Sequence, residues 1–302
     1  MFLRVDPSRR RESAGTSGPS GAELYTTGMR PVCFLSDFGL ADDFVGTCKG
    51  VMLGVTPGLT IIDLTHDVPG FAVEVGAEIL EHATRYMPAD AVFLAVVDPG
   101  VGTERRSLAL RTERDSLLVG PDNGLLIPAA DALGGVAEAV VLGNPDYHVH
   151  PVSNTFHGRD VFSPAAAHLA AGTPLAQLGR SYPPASLVHL EAPGDLGGPG
   201  ETLEGGIISI DRFGNARLSI GYEDSGLQFG EWLKIDAGDG QMSVRYVETF
   251  GASKAGELVL VPDSHWRLSL CVNRGNASQA LALKRGGRVR LTRTETSDAA
   301  GA

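Results

Sequence analysis

The chain has 302 residues, with 25 Lys and Arg against 36 Asp and Glu, and a formal net charge of -11. That acidic balance argues against a protein built to cover phosphates with a basic face, so nucleic acid is not an expected partner. No stretch approaches 18 consecutive apolar residues, so no membrane span is expected, and 43% apolar with 20% charged residues is the balance of a folded chain with a core. The three cysteines, Cys33, Cys48 and Cys271, are scattered and form no CxxC pair, which argues against a disulfide framework and a thiolate zinc site and fits a reducing cytoplasm. Glycine is abundant at 39 residues, without a repeating period, which predicts many tight turns and close backbone approaches.

Residues 1–30 are rich in Ser, Gly, Arg and Pro, lack apolar periodicity, and read as a disordered tail. From Pro31 the pattern changes. Val32–Ser36 is a short apolar strand, 43–54 a helix closed by Pro57, 59–64 a strand, and 72–86 a helix with Val75, Ile79 and Ala83 at helical spacing. Residues 91–97 are continuously apolar, the mark of a strand buried on both faces in a parallel sheet. Strands follow at 107–111, 116–119 and 138–142, and a small-residue helix at 163–171. This alternation predicts a Rossmann-like layered α/β domain over 31–190. Residues 191–206, crowded with Gly and Pro, read as a linker. Seven short strands then come without intervening helices, at 207–211, 216–220, 232–235, 242–247, 258–261, 268–272 and 289–292. They predict a small antiparallel β-barrel over 207–293, with a tail at 294–302.

Ligands of open parallel sheets bind beyond the carboxyl ends of the strands. Two acids stand there, Asp37 and Asp98, each followed by a glycine-containing loop. A turn or capping aspartate explains one such residue, whereas two in one layer favour a site. The Gly100-Val101-Gly102 element lacks the third glycine and following helix of a dinucleotide fingerprint. In the segment 154–160, His157 is either a core histidine or a general base, with His66 as runner-up; His148 and His150 alone are poor evidence for a metal. In the barrel, the segments 211–215 and 273–276 read either as hairpin turns or as ligand contacts.

The ordered set Ser36-Asp37-Phe38-Gly39, Asp63-Leu64-Thr65-His66, Asp98-Pro99-Gly100-Val101-Gly102, Gly120-Pro121-Asp122-Asn123-Gly124, Phe156-His157-Gly158-Arg159-Asp160, Asp211-Arg212-Phe213-Gly214-Asn215 and Asn273-Arg274-Gly275-Asn276 resembles the S-adenosylmethionine hydrolase family, or SAM hydroxide adenosyltransferases, relatives of the fluorinases and chlorinases. The resemblance spans about 31–293. It implies a trimer with substrate between the α/β domain of one subunit and the barrel of its neighbour. It also implies a catalytic trio of Asp98, Arg105 and His157, and substrate contacts from Asp37, Asp42, Phe71, Asp211, Asn215, Phe250, Ser264 and Asn273. An arginine expected after Ser264 is replaced by His265. The halogenating relatives carry tyrosines at the positions of Asp98 and His157, and the fluorinase a halide-binding serine at Gly158. A carboxylate at 98 repels halide, which favours water as nucleophile.

The resemblance therefore implies hydrolysis of S-adenosyl-L-methionine to adenosine and L-methionine, with no cofactor and no metal. The alternatives are a SAM-dependent halogenase and a non-catalytic SAM or adenosine sensor. The expected roles are a hydroxide-favouring charge from Arg105, with His157 the better candidate to accept the proton and Asp98 orienting the water or sharing that proton; the resemblance does not decide between the two. Asp98 is expected to be weakened as a base because Arg105 lowers its pKa.

Overall fold

The computed structural model describes residues 28–190, 202–237 and 241–294. Most of the expected N-terminal tail, the first part of the expected linker and nearly all of the C-terminal tail lie outside the described residues. No helix among the described residues is long and apolar enough to cross a membrane.

The first domain is a layered α/β fold. Its strands are β1 (Val32–Ser36), β2 (Ile61–Thr65), β3 (Val92–Val96), β4 (Ser107–Thr112), β5 (Leu117–Pro121), β6 (Val136–Leu142) and β7 (Gly179–Ser181); its helices are α1 (Phe44–Val55), α2 (Val73–Thr84), α3 (Ile127–Ala132) and α4 (Ser163–Ala170). They form one seven-stranded sheet in the order β2-β1-β3-β5-β4-β6-β7. Strands β2, β1, β3 and β5 run parallel, whereas β4, β6 and β7 pair antiparallel, so the sheet is mixed rather than wholly parallel. The apolar runs follow from burial on both faces. Val32 and Phe34 pack with Val45, Cys48 and Met52 of α1 and with the small face of α4; Cys33 and Leu35 pack with Ala77 and Leu80 of α2 and with α3. α3 and β7 were not foreseen: Ile127–Ala132 is only six residues long and begins with no side-chain cap.

The second domain is a closed barrel of β8 (Thr202–Ile210), β9 (Ala216–Gly221), β10 (Trp232–Asp236), β11 (Gln241–Tyr246), β12 (Leu258–Pro262), β13 (Arg267–Val272) and β14 (Arg288–Arg293), in the order β10-β11-β12-β13-β9-β8-β14. The first strand starts at Thr202, five residues before the expected Ile207, because Gly205 and Gly206 pair in register with Val289 and Arg288. All neighbouring pairs are antiparallel except β11 and β12. A parallel pair needs a long connection. Here it is 247–257, and it carries the turn Phe250–Ala252. A four-residue helix, α5 (Ala277–Ala280), follows β13.

Helix α2 joins the two domains. Glu78 meets Arg217 of β9 at 3.0 Å, and Glu74 meets Arg285 at 3.0 Å. The His82 ring stacks on His265 with centroids 3.5 Å apart, and its Nε2 donates to the Ser264 carbonyl at 3.0 Å.

Candidate active site

Strands β1 and β3 are parallel neighbours, with Ser36 in register with Val96, so the chain leaves both at the same edge of the sheet. Asp37 and Asp98 stand just beyond those ends. The Asp98 and Arg105 side chains are only 6% and 7% exposed. Arg105 Nε donates to Asp98 Oδ1 at 3.1 Å and Nη2 to Oδ2 at 2.6 Å. Nη1 donates to the Arg106 carbonyl at 2.9 Å and the Ser107 hydroxyl at 2.8 Å, and Nη2 also donates to His157 Nδ1 at 3.1 Å. All five N–H donors of the guanidinium are thus engaged. A glycine makes this assembly possible. A Cβ on Gly102, at φ +76°, would lie 2.3 Å from the Asn154 carbonyl oxygen, so only glycine lets the 98–105 loop close on the segment that carries His157.

His157 precedes a single π-helical turn, Gly158–Phe162, that runs into α4; such turns re-aim side chains at functional sites. Within it, buried Asp160 accepts from Arg159 at 2.6 and 2.8 Å and from the Ser153 N–H at 2.8 Å, clipping the 149–153 loop in place. A Cβ on Gly158 would meet the Phe38 ring at 2.8 Å, so a serine here requires that ring to move.

The electrostatics differ from the expectation. Burial pushes the Asp98 carboxyl above its ordinary value, and the charge and hydrogen bonds of Arg105 only partly offset it. Burial, then Arg105, holds His157 below the ordinary histidine value, so its neutral form is favoured. An arginine can only donate, so Nδ1 accepts and the proton of neutral His157 sits on Nε2.

Asp37 Oδ2 accepts from the Phe71 N–H at 2.9 Å. Phe71 is 74% exposed and holds a left-handed backbone with φ 64°, a strained conformation for an aromatic residue. Asp42 is exposed in the loop before α1. The runner-up His66 is a core histidine: it is buried, with Nδ1 2.8 Å from the Ser36 hydroxyl and Nε2 3.1 Å from Asp63. His150 Nε2 donates to the Pro145 carbonyl at 2.9 Å. Among the described residues no group of three or more His, Cys, Asp or Glu side chains is placed to hold a metal.

On the barrel, Asp211, Asn215, Phe250 and Ser264 come together. They line one cleft of about 370 Å³ with Phe213, Arg217 and Asp263, and none of the α/β site residues borders it. Asp211 serves as a turn residue as well: Oδ1 accepts from the N–H groups of Phe213 and Asn215 at 2.8 and 2.9 Å, and Oδ2 from Asn215 Nδ2 at 2.8 Å. Asn273 is not among the lining residues; its Nδ2 donates to the carbonyls of Phe250 and Ser253, both at 3.0 Å, and so braces the Phe250 turn. His265 lies in the domain interface, pushed down to about 4 by burial first and then by Arg217. Arg217 and Asp263 escaped the sequence reading. The available signal was a charge at 217 alternating with the core residues Ala216 and Leu218 on β9.

The likeness to known proteins covers both domains. Residues 32–179 match the model of the SAM hydroxide adenosyltransferase N-terminal domain, and residues 205–290 that of the C-terminal domain. A relative from Salinispora tropica named (R)-S-adenosyl-L-methionine hydrolase is 47% identical over 264 residues, 86% of this chain and 97% of the relative. A protein from Actinopolyspora mzabensis named fluorinase is 31% identical over 294 residues, 88% of this chain and 98% of the relative. A solved structure of an uncharacterized conserved protein from Thermotoga maritima superposes with a TM-score of 0.80 at 35% identity, covering 87% of this chain and all of that one. With both of its domains matched in order, the chain belongs to the SAM hydroxide adenosyltransferase family.

Proposed function

We propose that the protein hydrolyses S-adenosyl-L-methionine to adenosine and L-methionine, with Asp98, Arg105 and His157 activating the water. The observation that carries this reading is the buried Asp98–Arg105–His157 contact, with carboxylate and imidazole on one fully engaged guanidinium. It agrees with the hydrolase name of the 47%-identical relative. The water oxygen forms a bond to C5′, the C5′–S bond breaks, and its electron pair leaves on sulfur as a neutral thioether. Departure needs no acid. The remaining tasks are to hold the water in line with C5′ and sulfur and to take its proton. Placement supplies several kcal/mol, of the ~7–11 kcal/mol available to ideal positioning. A positioned base contributes ~10²–10⁴-fold.

The geometry supports Asp98 as proton acceptor and His157 as the group that orients the water. A carboxyl raised by burial is a stronger base than a solvated one. The Nδ1 lone pair of His157 already faces Arg105, which leaves Nε2–H to donate to the water or to the forming hydroxide. Arg105 stabilises the negative charge that develops. No redox or metal step enters the balance.

The barrel cleft lies apart from this site in the lining of one chain, so we assign the complete site to a trimer in which one subunit's α/β domain faces its neighbour's barrel. Exposed Phe71, Phe213 and Phe250, at 74%, 68% and 43%, are the surfaces such an arrangement would cover. Asp37 would take the ribose hydroxyls with Oδ1, its free oxygen, Asp42 the methionine ammonium, and Phe213 and Phe250 the flat adenine face. All three cysteines are buried and unpaired, in keeping with a cytoplasmic setting.

Purified protein incubated with S-adenosylmethionine, with products followed by chromatography, tests the reading. Adenosine and methionine in equal amounts are expected. Adenosine no faster than without enzyme would reject it. Repeating the assay with chloride or fluoride distinguishes a halogenase, which would form a 5′-halo nucleoside instead.

A further inference from the structure

Arg217 is the one cationic side chain lining the barrel cleft. It alternates on β9 with Ala216 and Leu218, both buried in the barrel core, so it faces outward from that core. Its Nε donates to Asp263 Oδ2, and its Nη1 to Glu78 Oε1 at 3.0 Å and to the Ser209 hydroxyl at 3.2 Å. Its Nη2 makes no hydrogen bond among the described residues, which leaves two donors of a charged, anchored group over. Asp263 is in the opposite condition. It accepts from Arg217, from the Ser269 hydroxyl at 3.1 Å and from the N–H groups of His265 and Arg267 at 2.8 and 3.1 Å. With its lone pairs taken, it is an anchor rather than a receptor for a ligand cation. Ser264, the next residue, lines the same cleft and adds a hydroxyl.

His265 is no substitute for this cation. Its ring is stacked on His82, and its Nδ1 is buried without a hydrogen-bond partner. Glu78 backs Arg217 from α2 through Nη1 at 3.0 Å, so it holds the guanidinium in place without occupying Nη2.

We propose that Arg217 binds the α-carboxylate of the amino-acid end of the substrate, beside Ser264, and makes the enzyme select against adenosyl sulfonium compounds that lack this carboxylate. A guanidinium pre-placed by Asp263 and Glu78 pays little ordering entropy when a second carboxylate arrives, and charge-assisted bonds of this kind are the strong ones. The identity of the ligand rests on the hydrolase reading above; the cleft, its cation and its unmatched donors do not.

The test measures dissociation constants and turnover for S-adenosylmethionine and for its decarboxylated analogue, which keeps the sulfonium, the adenosine and the amine. Wild-type protein is expected to prefer the carboxylate-bearing compound by about 10–100-fold, the scale of losing hydrogen bonds to a charged group. In Arg217→Met the preference should collapse to near unity through weaker binding of S-adenosylmethionine, with the analogue bound as before. Arg217→Lys keeps a cation within reach of Glu78 and Asp263 and should restore part of the preference. His265→Ala should keep it in full. An undiminished preference in Arg217→Met, an equal loss for both compounds, or a wild-type protein indifferent to the carboxylate would each overturn the proposal. Absence of adenosine from the wild type overturns the hydrolase reading instead, and the two binding constants still report on Arg217.

Discussion

Two arginines show how differently the two halves of the proposed site are built. Arg105, in the α/β domain, has every N–H donor matched by its own chain and its carboxylate partner buried beside it. Arg217, in the barrel cleft, is anchored on two carboxylates and keeps Nη2 unmatched. The first has its partners in place before any substrate arrives, the preorganisation that stabilisation of a developing charge calls for. The second is a partly satisfied surface of the kind that gains by binding. On the proposed reading, chemistry belongs to the α/β site and recognition to the barrel, and the two should separate in kinetics.

The largest expected effect is on the chemical side. Asp98→Asn keeps the shape of the carboxyl but cannot take the proton, and kcat should fall by ~10²–10⁴-fold with KM little changed. Single-turnover kinetics check this; a wild-type rate removes Asp98 from the mechanism. On the barrel side, Asp211→Asn keeps an oxygen for the Phe213 and Asn215 N–H groups and loses the charge. It should raise KM by about tenfold, the scale of one charge-assisted hydrogen bond, and leave kcat within a few-fold. The third prediction joins the halves. Asp98→Asn subunits mixed and reassembled with a variant carrying alanine at Asp211 and Asn215 should recover about a quarter of wild-type activity. That is the statistical share of sites built from two intact halves in a ring of three. No recovery would place both halves of each site in one chain. The smallest effect is a matter of position on the pH axis. Protonating Asp98 removes the acceptor, and protonating His157 puts a proton on Nδ1, against Arg105. Both losses occur as pH falls. Since burial raises Asp98, the acid limb of kcat/KM should lie above the ordinary aspartate value, and activity should be lost as pH falls through it. A limb at the position of an ordinary exposed aspartate would contradict the assignment.

Much of this architecture is legible in the sequence because its signals are local. Apolar runs such as Val32–Ser36 and the turn-punctuated segments after 206 mark their strands, and acids at strand ends point to Asp37 and Asp98. The parts that are not legible depend on distant partners. Glu78 and Arg217 are 139 residues apart, and Arg217 and Asp263 are 46 apart. Arg217 therefore looks like an ordinary exposed strand residue until the barrel closes. The same holds for Asp98. Its neighbour Arg105 argues for a lowered pKa, and only the packed structure shows that burial outweighs that charge. His157 stands out in its polar segment as a candidate base, but its grouping with Arg105, 52 residues away, rests on the family resemblance, and its proton location on the contact at Nδ1. The parallel β11–β12 pair, with the long connection that presents Phe250, has no sequence signature of its own.

The central claim is that water, held at Asp98, Arg105 and His157, attacks C5′. A turnover of S-adenosylmethionine in water enriched in oxygen-18, with chloride present, tests it most directly by mass spectrometry of the nucleoside. The account predicts adenosine carrying the heavy oxygen at the 5′ position, and its loss in Asp98→Asn. A 5′-chloro nucleoside, or unlabelled adenosine, would contradict it.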